Sequence, residues 1–377
     1  MNKFHRGTWV EVKLDALTHN YEQFKQLHKN HAIMAVIKAN AYGHGDVEVA
    51  KCFTRQGATY LAVSSLDEAL HLRSHEITTP LIILAPVKIT DCEIAARNNI
   101  TIVAYDEEWA KKLSKILLPQ QLKIHIELET GMNRIGIRDL LTTMTHLKSN
   151  KNIDIEGIYT HIHSADTKKT SIDEQVEKFN QTIVKAGMNK FKYIHIANTA
   201  TTLKCDLKYV NMQRVGLGLY GINPDEEYVK TPLKLKPAFS FHSELTQVSH
   251  IKKGESVSYG ATYIAPKDTV VGTLSVGYAD GWCRLNQGRN VKIKGQQCPI
   301  IGRICMDQLM IALPSDDFSI GEVVTLIDEE INAGVIAKEI GTIAYEVLTL
   351  ISDRVPRVYV ENKIVRHCYL GRNKIHI

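Results

Sequence analysis

Hydrophobic and polar positions along the chain follow two regimes. From Ile33 to about Tyr220, short apolar runs alternate with amphipathic helical patterns. The runs are Ile33–Ile37, Tyr60–Ser64, Leu81–Ala85, Ile100–Ala104, Leu122–Glu127, Ile155–His161, Tyr193–Ala197 and Met212–Leu217. Runs this short and this apolar predict strands buried on both faces. The segments between them carry helix signals. Asp46 is placed to cap a helix over Val47 to Gln56, with Gly57 as its terminator. Ser65 and Glu68 have the spacing of a capping box. Eight strands alternating with helices over roughly 200 residues predict a (β/α)8 barrel of the TIM type.

The pattern changes near Asp225–Pro237, a charged stretch with Pro232 and Pro237 that reads as a linker. Beyond it, strands follow one another at short spacing. The candidates are Phe239–Val248, Ser256–Tyr263, Val270–Val276, Asn290–Ile293, Pro299–Ile304, Leu309–Leu313 and Val323–Ile327, with a helix near Ala333–Ile340. Thr8–Val12 alternates apolar and polar positions and is expected to pair with this region. The fold class is therefore α/β: an N-terminal barrel over 12–230, and a mainly-β domain made of 1–11 and 236–377.

Composition narrows the class. The chain has 377 residues, which suits two domains better than one core. It is 44% hydrophobic and 23% charged, as expected of a globular protein. A formal charge of +5 without a dense Lys/Arg tract gives no sign of nucleic-acid binding. Seven cysteines, an odd number without a C-x-x-C pair, fit a reducing cytoplasm better than a disulfide framework or structural zinc. Met1 to Arg6 is polar, so no signal peptide is expected, and no apolar run approaches the ~20 residues that span a bilayer.

Chemistry collects where the strands end. Active sites of such barrels form at the C-terminal ends of their strands. Lys38 ends the first strand, within Val36-Ile37-Lys38-Ala39-Asn40-Ala41-Tyr42-Gly43. A lysine at the mouth of a buried strand is placed to lose its proton and act as a nucleophile. Arg134 follows the fifth strand, His161 ends the sixth, His195 and Asn198-Thr199 end the seventh, and Arg214 lies on the eighth. Taken singly, each reads as an ordinary structural residue; their convergence marks an anion-binding catalytic site. The run Gly216-Leu217-Gly218-Leu219-Tyr220-Gly221 matches G-x-G-x-x-G in form. A dinucleotide site is excluded, because Asn223-Pro224 follows and no helix opens there. Backbone N–H groups of this glycine-rich run, with Thr199, suit a phosphate instead. A lysine amine beside a phosphate site points to pyridoxal 5'-phosphate held as a Schiff base.

With these residues in view, the chain resembles the alanine racemases. The resemblance is carried by the Lys38 segment, Glu129-Thr130-Gly131-Met132-Asn133-Arg134, Thr160-His161, His195-Ile196-Ala197-Asn198-Thr199 and Arg214-Val215-Gly216. It continues through Val257-Ser258-Tyr259-Gly260, Gly277-Tyr278-Ala279-Asp280-Gly281, Cys305-Met306-Asp307-Gln308 and Tyr345-Glu346-Val347, in family order along nearly the whole chain. It implies a homodimeric, cytoplasmic isomerase that interconverts L- and D-alanine and supplies D-alanine for peptidoglycan. Lys38 is implied as the cofactor lysine and as base on one face of the substrate. Tyr259 of a partner subunit is implied as the acid/base on the other. Free tyrosine has a pKa of ~10, so nearby cations are required to lower it, with His161 and Arg214 as candidates. Arg214 is implied at the pyridine nitrogen, and Arg134 at the phenolic oxygen and the substrate carboxylate. The implied cofactor contacts also include Asn198, with Tyr42, Thr199, Gly216, Leu217 and Tyr345 at the phosphate. Substrate contacts are implied for Met306, Asp307 and Tyr278, and the tyrosines at 278 and 345 are implied to narrow the pocket toward a methyl group.

There are departures. Glu127 stands where many members carry a carbamylated lysine that orients the equivalent of Arg134. A glutamate is shorter, so direct contact with Arg134 is not expected and activity should not depend on bicarbonate. Glu129, Thr199 and Val215 replace the usual Asp, Ser and Pro, and His163 has no assigned role. Three rival readings follow. Serine or another small amino acid is an alternative substrate. The H-x-H of His161-Ile162-His163 raises a barrel metallohydrolase. A non-catalytic pyridoxal phosphate carrier would share the barrel but not the domain with Tyr259, Met306 and Asp307.

Overall fold

A computed structural model describes residues 4–166, 170–205, 207–225, 227–371 and 373–375. Met1–Lys3, part of the segment that reads as polar and β-domain, lie outside the described residues, as does Glu226 of the linker stretch. The chain divides into two compact units. One comprises Met1–Ala16, Tyr42–Gly45 and Lys236–Ile377; the other comprises Leu17–Ala41 and Asp46–Leu235.

Among the described residues there are twenty strands. β1 is Thr8–Lys13. Eight parallel strands follow: β2 (Ala32–Val36), β3 (Tyr60–Val63), β4 (Leu81–Ile83), β5 (Ile100–Ala104), β6 (Leu122–Glu127), β7 (Ile153–Tyr159), β8 (Tyr193–His195) and β9 (Met212–Val215). They pair in sequence from β2 to β8, and β9 returns to pair with β2. The last seam is closed by two hydrogen bonds, Asn211 N–H to the Ile194 carbonyl (3.1 Å) and Arg214 N–H to the Ala197 carbonyl (2.9 Å). The ring is the predicted barrel. Residues of β3, β4, β5 and β9 are buried on both faces, which explains their unbroken apolar pattern. Where the chain leaves the ladder, strands end sooner than the apolar runs do: Ser64, Ala85 and Ala197 lie beyond β3, β4 and β8.

The other unit is antiparallel except for one pair. Its strands are β10 (Phe239–Ile251), β11 (Ser256–Val257), β12 (Tyr263–Ile264), β13 (Thr269–Leu274), β14 (Asn290–Ile293), β15 (Gln296–Ile301), β16 (Leu309–Leu313), β17 (Val323–Ile327), β18 (Arg357–Glu361), β19 (Ile364–Leu370) and β20 (Asn373–Ile375). β10 pairs with both β17 and β13, so the run β13-β16-β15-β14-β17-β10 closes on itself. β1 joins antiparallel to β10 and parallel to β18.

Two local expectations are corrected. The stretch Ser256–Tyr263 is not one strand. It is the β11–β12 hairpin, and Tyr259 lies in the turn between them. Ser258 and Gly260 take φ of +69° and +73° there, which no continuous strand accommodates. The helix expected from Val47 begins at Asp46, so that residue is not its cap. The first N–H, that of Asp46, donates instead to Asn40 Oδ1 (2.9 Å), and the Asp46 carboxylate lies 3.5 Å from His71 Nε2. Gly57 does follow the helix with φ +85°.

Candidate active site

Lys38 leaves β2 in a conformation that the sequence did not reveal. Ala39, Asn40, Ala41 and Tyr42 all have φ between +52° and +54°, a full left-handed turn in place of the expected loop. Ala41 N–H closes it on the Ile37 carbonyl at 2.9 Å. Left-handed geometry costs roughly 1–2 kcal/mol for each L-residue, so the surroundings must impose it. Glu68 accepts from Ala39 N–H (2.7 Å) and Ser64 N–H (2.7 Å). Its own N–H donates to Ser65 Oγ (3.1 Å). The expected capping box is thus half-formed, with the carboxylate spent on neighbouring strand ends. The residues that follow, Gly43 and His44, belong to the β-rich unit. The buried Arg357 donates to the Gly43 carbonyl (3.1 Å), and Tyr359 Oη donates to the His44 carbonyl (2.9 Å). Gly45 has φ +94°, and a Cβ there would lie 1.7 Å from Tyr359 Oη. A side chain at 45 is therefore excluded twice, by conformation and by space.

The Lys38 side chain stands exposed at the mouth. Even so, its amine is held below the ordinary lysine pKa, first by desolvation from the atoms packed around it and then by the positive charge of Arg134, with Arg214 adding to the effect.

Arg214 is 3% exposed and closely bonded. Nη1 donates to His195 Nδ1 (2.9 Å) and the His195 carbonyl (3.2 Å). Nη2 donates to the Thr160 carbonyl (3.1 Å), the Ile196 carbonyl (3.3 Å) and His161 Nδ1 (3.3 Å). The guanidinium also lies 4.8 Å from the Tyr159 ring centroid. Its Nε–H has no partner among the described residues. Because a guanidinium only donates, both histidines accept at Nδ1 and carry their proton on Nε2. His195 therefore donates from Nε2 to His125 Nδ1, 2.8 Å away. Burial holds all three imidazoles neutral. For His161, burial and then Arg214 lower the pKa to about 3. This corrects the expectation that His161 acts as a cation: near neutral pH it offers a neutral Nε2–H.

Asn198 caps the short helix Thr199–Lys204 by accepting from Thr201 N–H (3.0 Å). Thr199 Oγ1 accepts from Gly216 N–H (3.1 Å) and Gly218 N–H (3.4 Å). Gly216 N–H is thus already engaged, whereas Leu217 N–H, which opens the next turn, has no partner among the described residues.

Glu127 does not bond to Arg134. It accepts from Tyr159 Oη at 2.6 Å, and burial raises its pKa. The Tyr159 ring stacks on His195 at 4.7 Å. The carboxylate therefore underlies the Arg214 assembly. Arg134 is exposed, without a hydrogen bond or ion pair among the described residues, and it lines a cavity of about 350 Å³ with Tyr105, Glu129 and Arg138. Its loop is shaped by Glu129, which accepts from the N–H groups of Gly131 and Asn133. Gln175 donates to Thr130 Oγ1 (3.2 Å) and the His161 carbonyl (3.1 Å) and accepts from His163 N–H (3.1 Å). The backbone of His163 thus enters this network, while its ring is exposed. Among the described residues no three His, Cys, Asp or Glu side chains gather as a metal site.

Within the β-rich unit the remaining candidates form two groups. The rings of Tyr42 and Tyr345 lie 5.9 Å apart. Tyr278 N–H donates to the Cys305 carbonyl (3.1 Å), and Ala279 N–H donates to the Met306 carbonyl (3.0 Å), which places Tyr278 beside Met306 and Asp307. Ser258 Oγ donates to the Arg303 carbonyl (2.6 Å), bringing the Tyr259 turn to the same strand end. Arg354 joins Asp307 (2.9 Å) and the buried Asp280 (3.2 Å), and Arg6 also pairs with Asp280. Tyr259 is 72% exposed, Met306 53% and Tyr278 43%. Sequence reasoning overlooked Glu68, Tyr159, His125 and Gln175 as parts of the site; only Glu68 carried a signal, its capping-box spacing.

Residues 12–224 match the family described as alanine racemase, N-terminal domain, and residues 238–359 match alanine racemase, C-terminal domain. The alanine racemase of Halalkalibacterium halodurans is 42% identical over 375 residues, covering 95% of this chain and 96% of that protein. The crystal structure of the alanine racemase from Bacillus anthracis, with bound L-Ala-P, superposes with a TM-score of 0.92 at 38% identity, covering 98% of this chain and 99% of the other. A histidine racemase from Leuconostoc mesenteroides superposes at 0.88 with 30% identity, covering 95% and 99%.

Proposed function

Because this chain belongs to the alanine racemase family and is thus an amino-acid racemase, we propose that it interconverts L- and D-alanine by a two-base mechanism at a mouth built to hold pyridoxal 5'-phosphate. The observation that carries the reading is a pair of groups on one barrel mouth: an amine with a lowered pKa, and a buried guanidinium with one N–H to spare. That spare Nε–H of Arg214 suits a pyridine nitrogen, and the open N–H of Leu217 with the Thr199 hydroxyl suits a phosphate. Asn198 holds the helix start beside them, and Tyr42, Tyr345 and Gly216 complete the phosphate contacts in this reading. When bound, the cofactor withdraws electrons from the substrate Cα and makes its proton removable.

The chain's own groups then do the rest. Arg214 donates a hydrogen bond but keeps its proton, so the ring nitrogen gains no full positive charge. That limits electron withdrawal and disfavours transamination. Arg134 binds the substrate carboxylate, assisted by the backbone N–H of the partner's Met306, with the partner's Asp307 also in contact with the substrate. Lys38 Nζ takes or returns the Cα proton on one face. Tyr259 Oη of the partner subunit does so on the other, because a single base tends to return a proton to the face it came from. The neutral His161 supports the phenolate by donating from Nε2, with Arg214 behind it as the positive charge. The exposure of Tyr259, Tyr278 and Met306 on one unit supports a homodimer in which each copy lends these residues to the other. The tyrosines at 278 and 345 crowd the pocket and favour a methyl side chain. D-Alanine made in the cytoplasm would feed peptidoglycan assembly.

The histidine racemase neighbour favours a second reading, in which the same machinery serves a different side chain. Incubating the loaded protein with L-alanine, L-serine or L-histidine in deuterated water tests both readings, with rotation and Cα deuterium followed together. Fast inversion of alanine with deuterium incorporation is expected. Exchange without inversion would remove the two-base proposal, and preference for another amino acid would replace the substrate.

A further inference from the structure

We propose that Glu68 is the positioning residue for Lys38: it holds the left-handed turn that carries the amine and supplies the negative charge the amine faces. The proposal rests on the reading of Lys38 as the reactive amine.

Glu68 lies in the first turn of the helix Leu66–Ser74. One carboxylate oxygen accepts from Ala39 N–H at 2.7 Å; the other accepts from Ser64 N–H at 2.7 Å and Ser64 Oγ at 3.2 Å. A single side chain thus ties the end of β2 to the end of β3. Ala39 is the first of the four left-handed residues, so the bond acts where the turn is forced away from ordinary backbone geometry. Three hydrogen bonds restrain the carboxylate, and Ser65 Oγ fixes the backbone N–H of Glu68.

The charges around the amine make the second half of the argument. Arg134 faces it from the loop after β6 and Arg214 from β9; His161, at the end of β7, is neutral. Both guanidiniums push the ammonium proton off, and Glu68 pulls the other way. Such a balance matters for an amine that must both take and return a proton. If the carboxylate were lost, the amine would deprotonate more easily and return its proton less readily.

The test compares the full-length chain with Glu68→Gln and Glu68→Ala, all free of cofactor. Isocyanic acid adds only to the unprotonated amine, so the pH profile of Lys38 carbamylation by cyanate, read by peptide mass, reports the amine's midpoint. Deuterium uptake by peptides spanning 39–42 reports the turn. Gln keeps an oxygen acceptor without the charge. For Glu68→Gln the midpoint should fall by on the order of half a pH unit, with uptake near wild type. For Glu68→Ala, uptake over 39–42 should quicken by on the order of fivefold as the N–H bond is lost. An exposed control, Glu93→Gln, should move neither. An unchanged midpoint in Glu68→Gln, or unchanged uptake in a folded Glu68→Ala, overturns the proposal; should Glu68→Ala not fold, Glu68→Gln decides alone. Failure of the racemase reading would look different: the wild-type chain loaded with pyridoxal phosphate would not invert alanine, whatever its carbamylation profile.

Discussion

The barrel mouth and the Tyr259 hairpin hold their candidate groups in opposite ways. At the mouth, Arg214 is held by five hydrogen-bond contacts and an aromatic face, and its histidines are locked into one tautomer. Lys38 precedes a left-handed turn whose start, Ala39, is tied by Glu68. At the hairpin, Tyr259 stands largely in solvent at the tip of two two-residue strands. One region is finished within the chain. The other has its backbone fixed but leaves its phenol to be completed by whatever covers it. Under the proposed function, this contrast would separate cofactor chemistry, which needs a rigid and dry pocket, from the second acid/base.

The largest effect should come from Tyr259→Phe. In the proposed function the Tyr259 phenol serves the substrate proton and not the cofactor, so pyridoxal phosphate binding should persist while the rate of inversion falls by roughly 10²–10⁴-fold. Absorbance of the bound cofactor and polarimetry on the same sample check this. Equal activity in that variant would end the proposed division of labour.

An intermediate effect concerns acid. His161 titrates near 3 in the fold, against an ordinary value near 6.5, and His195 is lowered as well. Between those pH values the unfolded chain binds more protons than the native one, so stability rises with pH across the window and is lost as pH falls through it. The thermal midpoint should therefore drop by roughly 5 °C or more between pH 7 and pH 5. His161→Gln should blunt that drop, whereas His250→Gln, an exposed histidine of the other unit, should not.

The smallest expected effect is none. Glu127 stands where the resemblance implies a carbamylated lysine and bonds to Tyr159 instead of Arg134, so our proposal is that Arg134 works without a carbamate. Activity of degassed enzyme should not change when bicarbonate is restored. A rise would show that some lysine elsewhere needs carbon dioxide.

Much of this was legible in the chain. Eight apolar runs marked the barrel because strands buried on both faces cannot alternate. The placement of Lys38, His161, Asn198 and Arg214 near the ends of barrel strands was legible from the order of the elements alone. Asp46 was misread because its N–H finds Asn40, six residues back, through a turn that local propensity disfavours. The hairpin at Tyr259 was read as a strand because apolar spacing does not register positive φ at Ser258.

What the sequence by itself determined is the fold class, the order of the strands and the chemical type of the candidate groups, since these follow from hydrophobic period and residue type. Only the tertiary structure decided the protonation and aim of those groups. His161 is neutral because burial and Arg214 act on it together, Glu127 serves Tyr159 because its side chain meets that hydroxyl, and the left-handed turn after Lys38 is tied at Ala39 because Glu68 comes from a distant part of the chain. Each of these depends on non-local contacts and low local dielectric, which no local pattern encodes.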